Sequence, residues 1–376
     1  MRVHSLSVTD FRNYSRGDIT LSSGINVFLG PNGQGKTNLI EAIHYLSSLS
    51  SHRISADVAL IKKGSDQAII RSEVASGDRK ILLQLELNRA SRNRAQVNQN
   101  PAQLRDFPRY LSSVLFAPED LQLVRGEPEH RRNFLDDLVV NFLPRMSGVY
   151  SDYDRVIKQR NSLLKSLKQF SGRATETSTL ELWDEKLISL GTEISTMREE
   201  LVVKLRPLLE ANYHTISGVN HAPQLRQKLS VYADAPDHAF VPARYSTDLT
   251  ELIKNQRARE IERGATLFGP HRDDVEFFLN DLPAKGYASH GETWSFVLAL
   301  KLASAQLLKE ESALGDPVII LDDVFAELDS ARRTRLAERI TAFEQCLITC
   351  AVEEDLPESV HGRVFSVSAG TVGDHL

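Results

Sequence analysis

The chain has 376 residues, of which 41% are hydrophobic and 25% charged, and its formal net charge is −5. These values are typical of a globular protein with about two structural units. The charge disfavours indiscriminate polyanion binding but permits a local basic surface, because screening limits each charge to about 8 Å at physiological salt. The sequence has no apolar run of the roughly 18 residues that span a membrane, and residues 1–8 lack the apolar core of a signal peptide, so we expect a cytoplasmic protein.

Short strands are predicted for residues 1–29, interrupted by a loop that contains Arg12 and Asn13. This loop lies close in sequence to the glycine-rich segment that begins at residue 30. Its two polar residues could contact a bound nucleotide or could simply be exposed on the surface, and the sequence leaves both interpretations open.

A glycine-rich loop links a predicted strand to a predicted helix. Residues 25–29 are apolar and β-prone, as expected of a buried parallel strand, and residues 38–46 place apolar side chains on one helical face. The chain between them fits the phosphate-loop pattern G-x-x-x-x-G-K-[ST]. The loop consists of Gly30, Pro31, Asn32, Gly33, Gln34, Gly35, Lys36 and Thr37. The order strand, loop, helix favours a nucleotide site over an ordinary glycine-rich turn.

The residue types of this loop suit a nucleoside triphosphate with its metal ion. Glycines let consecutive backbone N–H groups point at phosphate oxygens, at a helix N-terminus that already favours anions. Lys36 can reach the β- and γ-phosphates, and the Thr37 hydroxyl can ligate Mg²⁺.

Residues 68–100 are predicted to form a β meander that ends in a polar hairpin. This hairpin carries Arg89, Arg92 and Arg94. A DNA-facing edge and a solvated hairpin tip are both open. A further buried strand is predicted at 113–116 and ends at Pro118-Glu119-Asp120.

The composition then changes, because residues 128–213 show almost no strand signal and little glycine. Three helices are predicted, and a polar turn at 171–178 joins the second to the third as an antiparallel hairpin. The third helix carries apolar residues at heptad spacing, namely Trp183, Leu187, Leu190, Ile194, Met197 and Leu201. We therefore predict an ATPase lobe at 1–122, an inserted helical lid at 123–213, and the rest of the lobe at 214–376.

The second helix of the lid is basic. Its cations are Arg155, Lys158, Arg160, Lys165 and Lys168, and Arg131 and Arg132 precede them. Contact with nucleic acid and a solvated face are equally open for this stretch.

An apolar strand that ends in two acidic residues completes the predicted site. Residues 316–323 form an apolar strand that ends in two carboxylates, which is the Walker B arrangement. We expect Asp322 to serve the metal and Asp323 to orient or deprotonate the attacking water. Cys346 and Cys350 fall in a later apolar strand and are predicted to be buried structural thiols.

Two further segments have the spacing of dimer-contact elements. Ser289 and Gly291 precede a helix as a signature loop that would meet a nucleotide held by another subunit, and Asp329 follows Walker B with the spacing of a D-loop. Ser289 and Glu292 also form the capping box S-x-x-E, and both interpretations can hold at once.

The order of these motifs resembles the ABC-type ATPase head of the structural-maintenance-of-chromosomes class, and several strings resemble the RecF family of bacterial recombination mediators. These strings lie at 11–14, 30–41, 51–53, 118–121, 131–136, 269–274 and 321–323. The string Gly-Pro-His-Arg-Asp-Asp at 269–274 is the most specific.

The resemblance implies an α/β head with a mixed β-sheet lobe and an ATP-dependent homodimer that sandwiches two ATP molecules. It also implies preferential binding to single-stranded or gapped DNA, slow hydrolysis, and cooperation with RecO and RecR. Arg12 would then belong to the nucleotide site, beside the phosphate loop and Mg²⁺ ligands.

The sequence departs from the general ABC pattern in ways that suggest weak turnover. Asp323 stands where transporters carry Glu, and Glu119 stands where a Q-loop glutamine would be. The signature residues at 289–292 read Ser-His-Gly-Glu, and the strand at 346–350 offers no switch histidine.

Other proteins with a phosphate loop remain as alternatives. A transporter's nucleotide-binding subunit would need a surface for a membrane partner, and a long-armed chromosome-maintenance protein would need a far longer insertion. A small-molecule kinase would have no use for Ser289 or Asp329 in a dimer.

Overall fold

The computed structural model describes residues 1–54, 56–77, 79–170, 174–233 and 240–374. Its strands are β1 (Arg2–Phe11), β2 (Tyr14–Thr20), β3 (Gly24–Leu29), β4 (Gln67–Ser76), β5 (Arg79–Asn88), β6 (Arg94–Val97), β7 (Asn100–Ala102), β8 (Ser113–Phe116), β9 (Gln224–Lys228), β10 (Asp274–Leu279), β11 (Leu282–Pro283), β12 (Val318–Asp322), β13 (Gln345–Cys350), β14 (Arg363–Ser368) and β15 (Thr371–Asp374). Its helices are α1 (Lys36–Ser48), α2 (Gln122–Arg125), α3 (Pro128–Phe142), α4 (Met146–Phe170), α5 (Ala174–Ser217), α6 (Pro242–Arg263), α7 (Ala284–Tyr287), α8 (His290–Glu311) and α9 (Ser330–Ile340).

The chain forms two compact units. The first unit comprises Met1–Gln122, Leu208–His221 and Ala288–Leu376, and the second comprises Leu123–Pro207 and Ala222–Tyr287. Residues 222–287 thus belong with the helical insertion, whereas the sequence analysis placed 214–376 in the ATPase lobe. The reason is long-range contact with the inserted helices: Arg131 of α3 pairs with Asp274 of β10 and Arg160 of α4 pairs with Glu260 of α6, while β9 and β10 pair antiparallel.

The first unit contains a mixed sheet in the order β15-β14-β3-β13-β12-β8. All its neighbouring pairs are parallel except β14 with β15. Strands β12 and β13 are buried at every residue, as expected of parallel strands covered on both faces. The register pairs Leu29 with Cys350, Thr349 with Asp322, and Leu321 with Phe116. The loops after these strands therefore meet at one edge.

A second sheet of the first unit is antiparallel, in the order β2-β1-β4-β5-β6-β7. Its buried face shares one hydrophobic core with α1 and with the mixed sheet, through residues such as Val8, Ile70, Ile43 and Leu347. Helix α1 thus covers both sheets, and the predicted α/β class is confirmed. Cys346 and Cys350 are buried on β13 as expected, and burial raises the pKa of Cys350 to about 11.

The second unit packs its helices with a small sheet in the order β11-β10-β9. Helices α4 and α5 run antiparallel, because Tyr153 approaches Gly191 whereas Leu164 packs with Leu180. The predicted helical hairpin is confirmed. Its turn is shorter than predicted, since α5 already includes 174–178, and residues 171–173 lie outside the described residues.

The buried seam of α5 differs from the predicted heptad. Trp183, Leu190 and Met197 are only partly buried. The buried positions keep the 4, 3 spacing but run through Leu180, Asp184, Leu187, Gly191, Ile194, Arg198, Leu201 and Leu205. The two charged members pair with charged residues of other helices, Asp184 with Arg160 and Arg198 with Asp136, which the apolar pattern could not reveal. Across the described ranges, no helix has both the length and the apolar character to cross a membrane.

Candidate functional site

Two positions of the phosphate loop, Gly30 and Gly35, have no room for a side chain. Gly35 has φ +115°, and a Cβ there would lie 2.6 Å from Asn13 Nδ2. A Cβ on Gly30 would lie 2.2 Å from the backbone oxygen of Val367. Both contacts are closer than any side chain allows, so the loop pattern reflects close packing of the backbone.

Two neighbouring turns hold the tip of this loop. Asn13 lies in the two-residue turn between β1 and β2, and its Nδ2 donates to the Gln34 carbonyl at 3.0 Å. In the turn between β14 and β15, Gly370 N donates to the same carbonyl at 3.1 Å and Ala369 N donates to Gln34 Oε1 at 2.7 Å. The loop is therefore shaped in advance of any ligand.

Lys36 lies inside the loop and is only 3% exposed. Its ammonium donates to the carbonyls of Gly30 at 2.8 Å and Pro31 at 3.3 Å, and to Asn32 Oδ1 at 3.3 Å. A buried ammonium beside a helix N-terminus creates a strongly anion-favouring position. The loop and Lys36 can thus receive a phosphate chain.

The Walker B carboxylate meets the loop through Thr37. The Thr37 hydroxyl donates to Asp322 Oδ1 at 2.8 Å, although the two residues are 285 positions apart. Hard oxygen ligands of this kind suit Mg²⁺, which usually takes one or two protein ligands beside substrate phosphates. The residues present therefore fit the expected metal.

Thr349 on β13 extends this polar chain and was missed by the sequence analysis. Its hydroxyl lies 2.7 Å from Asp322 Oδ1 and 3.3 Å from Asp323 Oδ1, and it accepts from Asp323 N at 2.8 Å. In the sequence, Thr349 is visible only as a residue with a hydroxyl group near the end of an apolar strand. Its meaning depends on the register that places Thr349 opposite Asp322.

Asp323 has an unusual backbone and an unusual electrostatic setting. Its φ of +51° lies in the left-handed region, which costs energy for a residue with a side chain and is commonest at functional sites. Burial raises the pKa of Asp323, while the Lys36 ammonium opposes the shift. The carboxylate is thus coupled to the phosphate loop.

Arg12 lies beside the loop and is fixed by a buried carboxylate. Its Nε and Nη2 donate to Glu41 at 2.8 and 2.6 Å, and Glu41 is 1% exposed. Arg12 also lines an open groove of about 660 Å³. The other polar residues lining it are Asn13, Asn38, Arg53, Lys63 and Arg89. The groove is therefore basic and adjoins the loop.

Glu119 is not joined to these residues. It is exposed in a 3₁₀ turn at Pro118–Leu121, and its described contacts include none with Thr37, Asp322 or Asp323. The carboxylate of the neighbouring Asp120, by contrast, is held by two contacts. It accepts from Ala117 N at 2.8 Å and pairs with Lys301 at 2.8 Å.

Ser289 and Asp329 each cap a helix. Ser289 Oγ accepts from Glu292 N at 3.3 Å, and Glu292 Oε2 accepts from Ser289 N at 2.8 Å, so the capping box is present. Asp329 Oδ1 accepts from Arg332 N at 2.9 Å at the start of α9. The structure keeps Ser289 exposed at a helix N-terminus, as the signature interpretation requires.

Arg332 joins these two helix starts, which the sequence did not indicate. Its Nε donates to Ser295 Oγ at 3.0 Å, its Nη1 pairs with Asp329, and its Nη2 lies 3.1 Å from where a Gly291 Cβ would be. Ser289, Gly291 and Asp329 thus form a second cluster. The contacts described for this cluster include none with the phosphate loop.

The string at 269–274 is structural in the second unit. Asp274 accepts from Arg131 Nε at 2.7 Å and Nη2 at 2.9 Å, and Asp273 Oδ1 accepts from Ser230 N at 2.7 Å. Arg272 donates through Nε and Nη2 to the Thr266 carbonyl. These residues organise the loop between α6 and β10.

The predicted basic surfaces are smaller than the sequence suggested. Arg160 and Arg131 are buried in ion pairs and cannot face DNA. Arg89 donates to the carbonyls of three loop residues, so it braces the loop at 61–65. Exposed cations of α4 remain, namely Arg155, Lys158, Lys165 and Lys168.

Comparison with known proteins places these features in a family. Residues 2–371 match the RecF/RecN/SMC N terminal domain family. The chain is 51% identical over 388 residues to the DNA replication and repair protein RecF of Clavibacter michiganensis subsp. michiganensis, covering 100% of this chain and 96% of that relative. It is 50% identical to RecF of Leifsonia xyli subsp. xyli, covering 99% of each. The chain belongs to the RecF family.

Solved structures agree with membership of the RecF family. The chain matches a structure of the recombination mediator protein RecF with ATP, from the RecFOR pathway, with TM-score 0.90 and 26% identity. That match covers 100% of this chain and 97% of the solved one. An Smc head domain from Pyrococcus furiosus matches with TM-score 0.56 and 16% identity, covering 98% and 94%, and shares the fold alone.

Proposed function

We propose that this chain is an ATP-binding, DNA-binding protein of recombinational repair and replication that acts in the cytoplasm as an ATP-controlled switch. Two copies dimerise when ATP is bound, and the dimer prefers single-stranded or gapped DNA. RecO and RecR are its expected partners, since the solved RecF relative belongs to the RecFOR pathway. Membership of the RecF family supports this proposal.

One observation carries the nucleotide part of the proposal. Thr37 and Asp322 come from different motifs and share a hydrogen bond of 2.8 Å beside the buried ammonium of Lys36. The residues that we assign to the phosphates and those that we assign to the metal therefore lie next to each other. We assign the remaining loop residues, from Gly30 to Gly35, to the phosphate cradle through their backbone N–H groups, which Pro31 alone lacks, and Arg12 to the nucleotide at the adjoining groove.

Each residue has a defined task in this scheme. Mg²⁺, when bound with ATP, neutralises charge on the β- and γ-phosphates. Lys36 orients the phosphates, while Thr37 and Asp322 hold the metal. Asp323 accepts a proton from the attacking water, and its side chain, shorter than the Glu that transporters carry there, favours slow turnover. Glu119 is a weaker candidate for the same task because it is exposed.

The second cluster completes the site in a dimer. Ser289 and Gly291 present a helix N-terminus, and Asp329 is tied to it through Arg332. Such a terminus favours anions. We assign it to the γ-phosphate held by the other subunit, so that ATP acts as a clamp between two chains.

DNA binding measured by gel shift tests the whole proposal. The three conditions are ATP, a non-hydrolysable analogue, and no nucleotide. We expect tight binding to single-stranded or gapped DNA with either nucleotide and weak binding without one. Equal binding in all three conditions would contradict the switch, and absent binding would contradict the assignment of this chain as a DNA-binding protein.

Binding should weaken steeply with salt. On single strands, log K falls by about 0.7 per phosphate contact for each unit of log salt. If α4 contacts DNA, Lys158→Gln with Lys165→Gln should reduce that slope by about 1.4. The matched control is Lys254→Gln with Arg259→Gln, two exposed cations on α6. An unchanged slope in the α4 variant would show that its cations are only solvated.

Ser289→Arg should block ATP-driven dimerisation and leave ATP affinity within about twofold, because its bulk opposes the partner's nucleotide. The variant also loses the helix cap, at a cost of about 1 kcal/mol. Sedimentation with ATP measures dimerisation. Ser289→Asp is the sharper partner variant, since Asp preserves the cap but places a negative charge against phosphate. A dimer formed normally by Ser289→Asp would limit Ser289 to capping.

A further inference from the structure

His52 is a buried histidine that the mechanism above does not use. It follows α1, its side chain is 11% exposed, and its Nε2 lies 3.7 Å from Asp322 Oδ2. That distance is too long for a hydrogen bond. Neither ring nitrogen has a hydrogen-bond partner among the described residues, and both nitrogens are shielded from solvent.

The residues on either side of His52 are fixed. Ser51 Oγ donates to Glu41 Oε1 at 2.6 Å and accepts from Arg53 N at 3.1 Å. Arg53 Nη1 donates to Asn38 Oδ1 at 3.0 Å, which ties the segment to the first turn of α1. The backbone that carries the imidazole is thus anchored on both sides.

A polar ring at this position costs stability unless it gains a partner. A buried donor or acceptor without one costs about 1–3 kcal/mol, so each such group in a native protein needs an explanation. His44 shows the contrast, since its ring is edge-on to His52 at 6.4 Å but its Nδ1 lies 2.9 Å from Ser113 Oγ.

We infer that His52 is a positioning residue of the nucleotide site. Asp322 uses Oδ1 for the hydroxyls of Thr37 and Thr349, which leaves Oδ2 facing the imidazole. When the metal–nucleotide complex binds, a small closure lets Nε2–H donate to Oδ2 and fixes the carboxylate from its second side. This inference rests on the proposed function, because it assigns His52 to the same site.

The test compares His52→Leu with His52→Gln, which keeps an N–H donor. The measurement is the dissociation constant of a fluorescent ATP analogue, with Mg²⁺ and separately with EDTA. We expect His52→Leu to bind about tenfold more weakly with Mg²⁺, the size of one lost charge-assisted hydrogen bond. In EDTA its affinity should stay within about twofold of the unmodified chain, and His52→Gln should recover most of the loss.

A second readout separates positioning from a structural role. Without nucleotide, His52→Leu should melt no lower than the unmodified chain, because it removes an unpaired buried polar group. His361→Leu, at an exposed histidine of the same unit, is the control. Unchanged Mg²⁺-dependent affinity, or equal losses with Mg²⁺ and EDTA, would overturn the inference. If the unmodified chain binds no ATP analogue, the proposed function itself fails, whereas normal binding that only Lys36→Met abolishes leaves it standing.

Discussion

Replacement of Lys36 by methionine is expected to weaken ATP binding about 10- to 100-fold and to abolish ATP-driven dimerisation. Methionine has a similar length but no charge, and a hydrogen bond to a charged group contributes about 1.5–3 kcal/mol. Lys36 as a whole is only 3% exposed, so water cannot easily replace the lost contact. Titration with a fluorescent ATP analogue and sedimentation with ATP measure the two effects.

Lys36→Arg should fail nearly as badly, although it keeps the positive charge. The ammonium is held by Gly30 O, Pro31 O and Asn32 Oδ1, a compact set that suits a point charge and not a planar guanidinium. Lys80→Met, at an exposed lysine of the same unit, controls for the loss of a cation. Dimerisation that persists in Lys36→Met would contradict the assignment of the phosphate loop.

The parts of the site that could be predicted are those whose residues are contiguous in the sequence. The loop at 30–37 and the acidic strand at 316–323 each place their chemistry next to a strand whose burial follows from composition. Thr349 and Arg332 could not be found in this way. Thr349 reaches Asp322 because of the register in which β12 and β13 pair. Arg332 reaches Ser295 because α8 and α9 start close together.

The fold of the second unit shows the same limit. Apolar periodicity predicted the hairpin of α4 and α5, but it favoured Trp183 over Asp184 as a seam residue. Burial of Asp184 is possible because Arg160 and Arg257 pair with it from other helices. A pattern within one helix contains no record of such partners, so the choice for the α4 cations lay between nucleic-acid contact and a solvated face, and burial of Arg160 was not predicted.

Arg160→Met should destabilise the second unit by about 3–5 kcal/mol, the usual cost of removing one member of a buried ion pair. Arg160 is 0% exposed and donates to Asp184 Oδ1 at 2.7 Å, Glu260 Oε2 at 2.5 Å and Thr266 Oγ1 at 2.9 Å. Without the guanidinium, Glu260 loses this cation in a fully buried position. Urea denaturation followed by circular dichroism measures the change.

The matched control is Arg155→Met on the same helix, whose side chain is 68% exposed and pairs with Asp152 of its own helix. It should change stability by less than about 0.5 kcal/mol. Arg160→Met combined with Glu260→Gln should recover part of the loss, because the orphaned carboxylate is then neutral. A loss below about 1 kcal/mol in Arg160→Met alone would mean that water reaches the cluster.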